Sequence, residues 1–135
     1  MTHDRKQLGK EGEARAVQFL KQQGLSIVET NFSTRFAEID IIALDRPKGL
    51  LPGLFRDRSR DCLCFVEVKT RSSLKAGRPA ESVHTAKQQK IIQAAQAYLQ
   101  AHPHDEGPVR FDVIEVIRHR DEWEIRHIPH AFQTH

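Results

Sequence analysis

The chain has 135 residues, of which 39% are hydrophobic and 29% charged, with a formal net charge of +3. That length suits one domain with one core, taken as 1–135, and the composition excludes an intrinsically disordered chain. No run reaches the roughly 18 apolar residues of a membrane span, and the start MTHDRKQLGKEGE lacks the apolar centre of a signal peptide, so a cytoplasmic protein with no membrane partner is expected.

In chain order, the segment from about Arg5 to Gln23 sets Leu8, Ala16, Val17 and Leu20 near one face at helical spacing, and Gly24 follows as a C-terminal cap. Ser26–Asn31 and Ala37–Leu44, rich in Ile and Val, predict a hairpin turning around Asn31 to Arg35. The stretch 45–61 carries Pro47, Gly49, Pro52 and Gly53 without a sustained period and reads as a long loop, apolar and Arg-rich enough to touch a partner subunit or phosphates. Cys62 to Thr70 alternates as a strand. Cys62, Cys64, Val66 and Val68 take one face, and Leu63, Phe65, Glu67 and Lys69 the other. The two cysteines, on one face of one strand, read as reduced core residues.

Thr85 with Gln88 three residues on predicts a capping box opening a second helix through Ile91, Ile92, Ala94, Ala95, Tyr98 and Leu99. Val109–Ile117 and Trp123–Ile128 read as two final strands. Helix, three strands, helix and two strands imply an α/β domain with a mixed central sheet flanked by helices.

Asp40 in EIDIIA and Glu67 in FVEVK supply hard oxygen donors if the second and third strands pair, and Lys69 stands one pleat repeat beyond Glu67. Two carboxylates with a lysine suit a divalent cation acting on a phosphate ester, the lysine orienting water or stabilising developing charge. A bare acidic-x-Lys triplet is weak, since Asp4-Arg5-Lys6 is a second copy; strand context distinguishes Glu67-Val68-Lys69. An ordinary cross-strand salt bridge of Lys69 with Asp40 or Glu38 is the competing account. Glu13, in GKEGEARA where Gly9 and Gly12 permit close approach, is a further ligand candidate. From Lys69 to Lys90, Lys69, Arg71, Lys75, Arg78, Lys87 and Lys90 face only Glu81, a patch suited to polyanions; a solvated surface is the alternative.

Together GKEGEARAVQFLKQQGLSIVETNF, AEIDIIA, FVEVKTRSS and RFDVIEV resemble the YraN-like family of predicted endonucleases over nearly the whole chain. They also resemble the wider PD-(D/E)xK superfamily, which includes archaeal Holliday-junction resolvases. The resemblance implies a restriction-endonuclease-like αβββαβ core, Mg²⁺ (or Mn²⁺) dependence and a nucleic-acid partner, DNA, with branched or recombining DNA as one substrate class. It assigns Asp40, Glu67 and Glu13 to metal binding and catalysis, Lys69 to catalysis, and Gln88 to a polar position on the second helix; the charge patch, not the resemblance, makes Arg71, Lys75, Arg78, Lys87 and Lys90, with Gln88, the expected nucleic-acid contacts. Two departures stand out: Ala37 where the family carries Gly, and the long loop 45–61. A homodimer would suit symmetric cutting. Two other classes remain: a nuclease-like fold that binds or scaffolds nucleic acid without turnover, and a hydrolase of small phosphorylated molecules.

Overall fold

The structure, a computed structural model, describes residues 2–46, 61–72, 84–103 and 107–133. Most of the predicted loop 45–61 lies outside these residues, as do Lys75, Arg78 and Glu81.

The first helix, α1 (Thr2–Gln22), buries Ala16 and Leu20 and ends where the sequence places its cap. Gly24 has φ +95°, its N–H donates to Lys21 O (3.0 Å), and the Leu25 N–H donates to Leu20 O (3.0 Å). That pair of bonds is a Schellman motif, which turns the chain back toward the sheet. Then come β1 (Ser26–Ser33) and β2 (Glu38–Asp45). The hairpin forms, but its turn is shifted: β1 runs through Asn31 to Ser33, and the reversal lies at Thr34–Ala37. Thr34 Oγ1 accepts the N–H groups of Phe36 (3.0 Å) and Ala37 (3.1 Å), so a hydroxyl organises the turn and Ala37 needs no glycine-like backbone there.

The remaining elements are β3 (Cys62–Ser72), α2 (Thr85–Ala101), β4 (Val109–His119) and β5 (Glu122–Phe132). The capping box is absent. His84 occupies the N-cap with no side-chain bond, its carbonyl accepting the Gln88 N–H (2.9 Å), and Thr85 already lies within the helix.

The five strands make one mixed sheet in the order β1-β2-β3-β4-β5, antiparallel except for the parallel β3–β4 pair that α2 bridges. Period-2 alternation divides the core as predicted. Cys64 and Val66, with Cys62 and Val68, pack on the α1 side with Ala16, Leu20 and Ile114. Phe65 and Leu63 pack on the α2 side with Ile91, Ala95, Tyr98 and Phe111. Both cysteines are free, and burial pushes both thiols up, away from reactivity.

A buried ionic cluster pins the sheet at the Asp45 end of the β2–β3 ladder. Asp112, fully buried, accepts Arg110 Nε (3.1 Å) and the His130 N–H (3.2 Å), and its Oδ2 lies 2.8 Å from His127 Nε2. Arg110 Nη1 also reaches Asp45 (2.9 Å).

Candidate metal centre

The β2–β3 ladder runs from Asp45↔Cys62 to Ile41↔Val66, which brings Asp40 and Glu67 to the point where the ladder ends. There the Val68 N–H donates to Asp40 Oδ2 at 2.8 Å. A carboxylate therefore takes the place of a strand partner, and β3 continues against β4 as far as Ser72.

Glu13 and Glu38 complete an acidic group with Asp40, each offering one oxygen within 4.8 Å of the others. Glu13 arrives because α1 sits directly on β3: a Cβ built on Gly12 would stand 1.9 Å from Thr70 Oγ1, so only glycine allows this approach. Glu38 stands two residues before Asp40 on the same strand. Asn31, opposite them on β1, has φ 55°, a left-handed conformation that asparagine tolerates better than most residues. With its amide nitrogen turned toward the carboxylates, it donates to Glu38 Oε1 (2.9 Å) and Glu13 Oε1 (3.1 Å). These neutral donors leave the crowding of the carboxylates only partly relieved. Burial, then the neighbouring Glu67, push Asp40 up to about 7, and burial and Glu38 raise Glu13 as well.

Glu67 turns to the α2 side, where its Oε1 lies 2.6 Å from Lys87 Nζ; the glutamate is 7% exposed and the lysine side chain 44%. Burial alone would lower Lys87, yet the Glu67 carboxylate raises it overall. Lys69 lies against Lys87, and burial together with that second ammonium lowers it. The site thus has an acidic side built by α1, β1 and β2, and an ion-paired side built by β3 and α2.

Of the remaining predicted contacts, Arg71 bonds to Glu115, a fully buried residue of β4, and Lys90 is exposed on α2. Gln88 is half-buried on the same helix. The sequence offers Glu38 only as a salt-bridge partner of Lys69 and Asn31 only as a turn residue, neither as part of the site. Glu38 carried a signal, since positions 38 and 40 share a strand face; Asn31 carried none, because its placement depends on a left-handed residue inside a strand.

An open cleft of about 430 Å³ lies over the acids, lined by Glu13, Asn31, Glu38 and Asp40 and by Lys6, Gly9, Lys10 and Lys69. Its donors on the acidic side are carboxylate oxygens, with no histidine or cysteine among the described lining residues. Such a set of oxygen donors could hold a metal ion.

The profile of the Uncharacterised protein family UPF0102 matches residues 12–116, which include Glu13, Asp40, Glu67 and Lys69. The chain belongs to that family. It is 45% identical over 133 residues to a UPF0102 protein of Chlorobium phaeobacteroides, covering 94% of each chain. It is 42% identical over 134 residues to one of Syntrophotalea carbinolica, covering 99% and 98%. A third, from Myxococcus xanthus, is 39% identical over 131 residues, covering 97% and 93%. These relatives match almost end to end, so the acidic site lies inside a region shared by full-length UPF0102 proteins.

Proposed function

We propose that this UPF0102 protein is a metal-dependent endonuclease that hydrolyses phosphodiester bonds in DNA. The observation that carries the reading is the convergence of Glu13, Glu38 and Asp40 within 4.8 Å at the end of the β2–β3 ladder, with Lys69 beside them. Nothing in packing favours crowding acids there: Asp40 is driven to about 7 by burial and by Glu67, a cost that a bound cation would remove.

Asp40, Glu13 and Glu38 would hold the cation, and Glu67, now paired with Lys87, would be available as a further carboxylate ligand. The chemistry such a cation, Mg²⁺ or Mn²⁺, would supply is charge neutralisation at the scissile phosphate and activation of a water nucleophile. The protein's own groups do the rest. Lys69, held below the usual lysine range by burial and by Lys87, can donate to a phosphate oxygen in its charged form and accept a proton from water in its neutral form. Asn31 fixes the Glu13 and Glu38 carboxylates, and the Val68 N–H fixes Asp40, so the donors are set before substrate arrives. The fold is consistent with the restriction-endonuclease-like αβββαβ core, and branched DNA is the first substrate class to try.

Incubation of purified protein with linear, nicked, flapped and four-way DNA in Mg²⁺ or Mn²⁺ tests the reading. Cleavage by wild type that is lost in both Asp40→Ala and Lys69→Met supports it; equal products from wild type and Asp40→Ala sink it.

A further inference from the structure

We propose that the outer face of α1 at Lys6, Gly9 and Lys10 is a binding track for the phosphodiester backbone of DNA, carrying the strand across the cleft toward Asp40. The proposal deepens the nuclease reading and rests on it for the purpose of the track.

Three observations converge. First, Lys6, Gly9, Lys10 and Glu13 all line the cleft, at positions that share one face of the helix. The same face therefore changes from two exposed lysines at the rim to a carboxylate at the floor. Second, the two glycines of α1 have different explanations. Gly12 is demanded from inside by Thr70, whereas a Cβ on Gly9 would meet nothing within 4 Å, and Gly9 has no positive φ. Glycine is the poorest helix-interior residue after proline, so a glycine that neither packing nor backbone geometry requires points to a space kept open on the solvent side. Third, the open space lies between two cations. Lys6 and Lys10 are separated by about 6 Å along the helix axis, a span over which one DNA strand, at about 3.4 Å of rise per charge, presents successive phosphates. The open cleft suits a polymer crossing it better than a small anion enclosed by it.

This face lies outside the charge-dense stretch from Lys69 to Lys90. It gives the acidic floor a positive rim on the α1 side, without which a polyanion would be repelled from Glu13 and Glu38.

The test is fluorescence anisotropy of a labelled short duplex with the full chain in Ca²⁺, at a series of KCl concentrations. The double variant Lys6→Gln/Lys10→Gln should flatten the slope of log K against log salt by nearly 2, at about 0.9 per phosphate contact, and weaken binding by roughly tenfold or more near 0.1 M salt. Gly9→Leu, which leaves charge intact and whose Cβ meets no atom within 4 Å, should melt no lower than wild type yet bind more weakly. An unchanged slope in the double variant, or unchanged affinity in Gly9→Leu, overturns the track. Cleavage by wild type in Mg²⁺ is scored separately. Binding that depends on Lys6 and Lys10 without any cleavage keeps the track and sinks the nuclease reading; cleavage with wild-type binding by the double variant does the reverse.

Discussion

Lys87 Nζ lies 2.6 Å from Glu67 Oε1, so the carboxylate that the sequence pairs with Asp40 as a metal ligand is held by a cation of the following helix. The two claims on Glu67 are compatible if the lysine serves as its counter-ion until a metal arrives. A carboxylate this buried needs a partner in either state.

Removing the lysine should expose that exchange. Lys87→Met is expected to lower metal-free stability by about 1 kcal/mol, a modest figure because the ammonium end is half exposed and screened. Added Mg²⁺ should then raise the melting temperature more in the variant than in wild type, since Glu67 is free to bind. Thermal melts with and without Mg²⁺ check this, and equal shifts in the two proteins would contradict it.

Asp40 makes stability depend on pH. Its folded pKa, about 7, lies above its ordinary 3.8, so its contribution is fully present below about pH 4 and is lost as pH rises to 7. Asp40→Asn, which cannot ionise and still accepts the Val68 N–H, should match wild type near pH 4. By pH 8 it should be more stable by on the order of 3 kcal/mol in the absence of metal. Urea unfolding at both pH values reads the difference, and an advantage that does not grow with pH would refute it.

Gly12 is required by contact. The alanine Cβ in Gly12→Ala would overlap Thr70, and relief by helix or strand displacement should cost about 1–3 kcal/mol. Combining it with Thr70→Ala, which removes the 1.9 Å and 2.7 Å contacts but leaves Cβ, should restore part of the loss. A denaturant midpoint unchanged in Gly12→Ala would show that α1 does not sit as close as described.

Much of the scaffold was legible because its signals are local. Gly24 marks the end of α1 through its own backbone, and the alternation of β3 sorts Cys64 and Val66 from Phe65 and Glu67 with no knowledge of the partners. What stayed hidden depends on where separate elements meet. Nothing near Glu67 announces Lys87, which arrives on α2 after a crossover. A count of charges reads Arg71 as part of a basic patch, while the fold gives it buried Glu115, 44 residues away. Asn31 reads as a turn residue, and only a left-handed backbone within β1 turns it onto Glu13 and Glu38. The predicted capping box failed for a related reason: the Thr85–Gln88 spacing was right, but the helix starts one residue too early for Thr85 to cap it.

Asp112 is a structural acid by contrast with Asp40. Burial would raise it, but the hydrogen bonds of His127 and the His130 N–H and the charge of Arg110 outweigh that and hold it below the usual carboxylate range, so its contribution is present above about pH 4 and is lost as pH falls through its folded value. Asp112→Ala, which removes one of the two carboxylate partners of Arg110 and the acceptor of the His130 N–H, should cost about 2–3 kcal/mol. Metal binding by whatever remains folded should be unaffected, and calorimetry of that fraction with Mn²⁺ would reveal a role in the site if affinity also fell.

The most direct test of the metal centre is anomalous diffraction from crystals soaked in Mn²⁺. A peak bonded to Asp40 and to at least one of Glu13, Glu38 and Glu67 is expected, absent from Asp40→Ala crystals soaked in the same way. No peak at Asp40 in well-ordered wild-type crystals, with Glu67 still on Lys87, would contradict the metal centre.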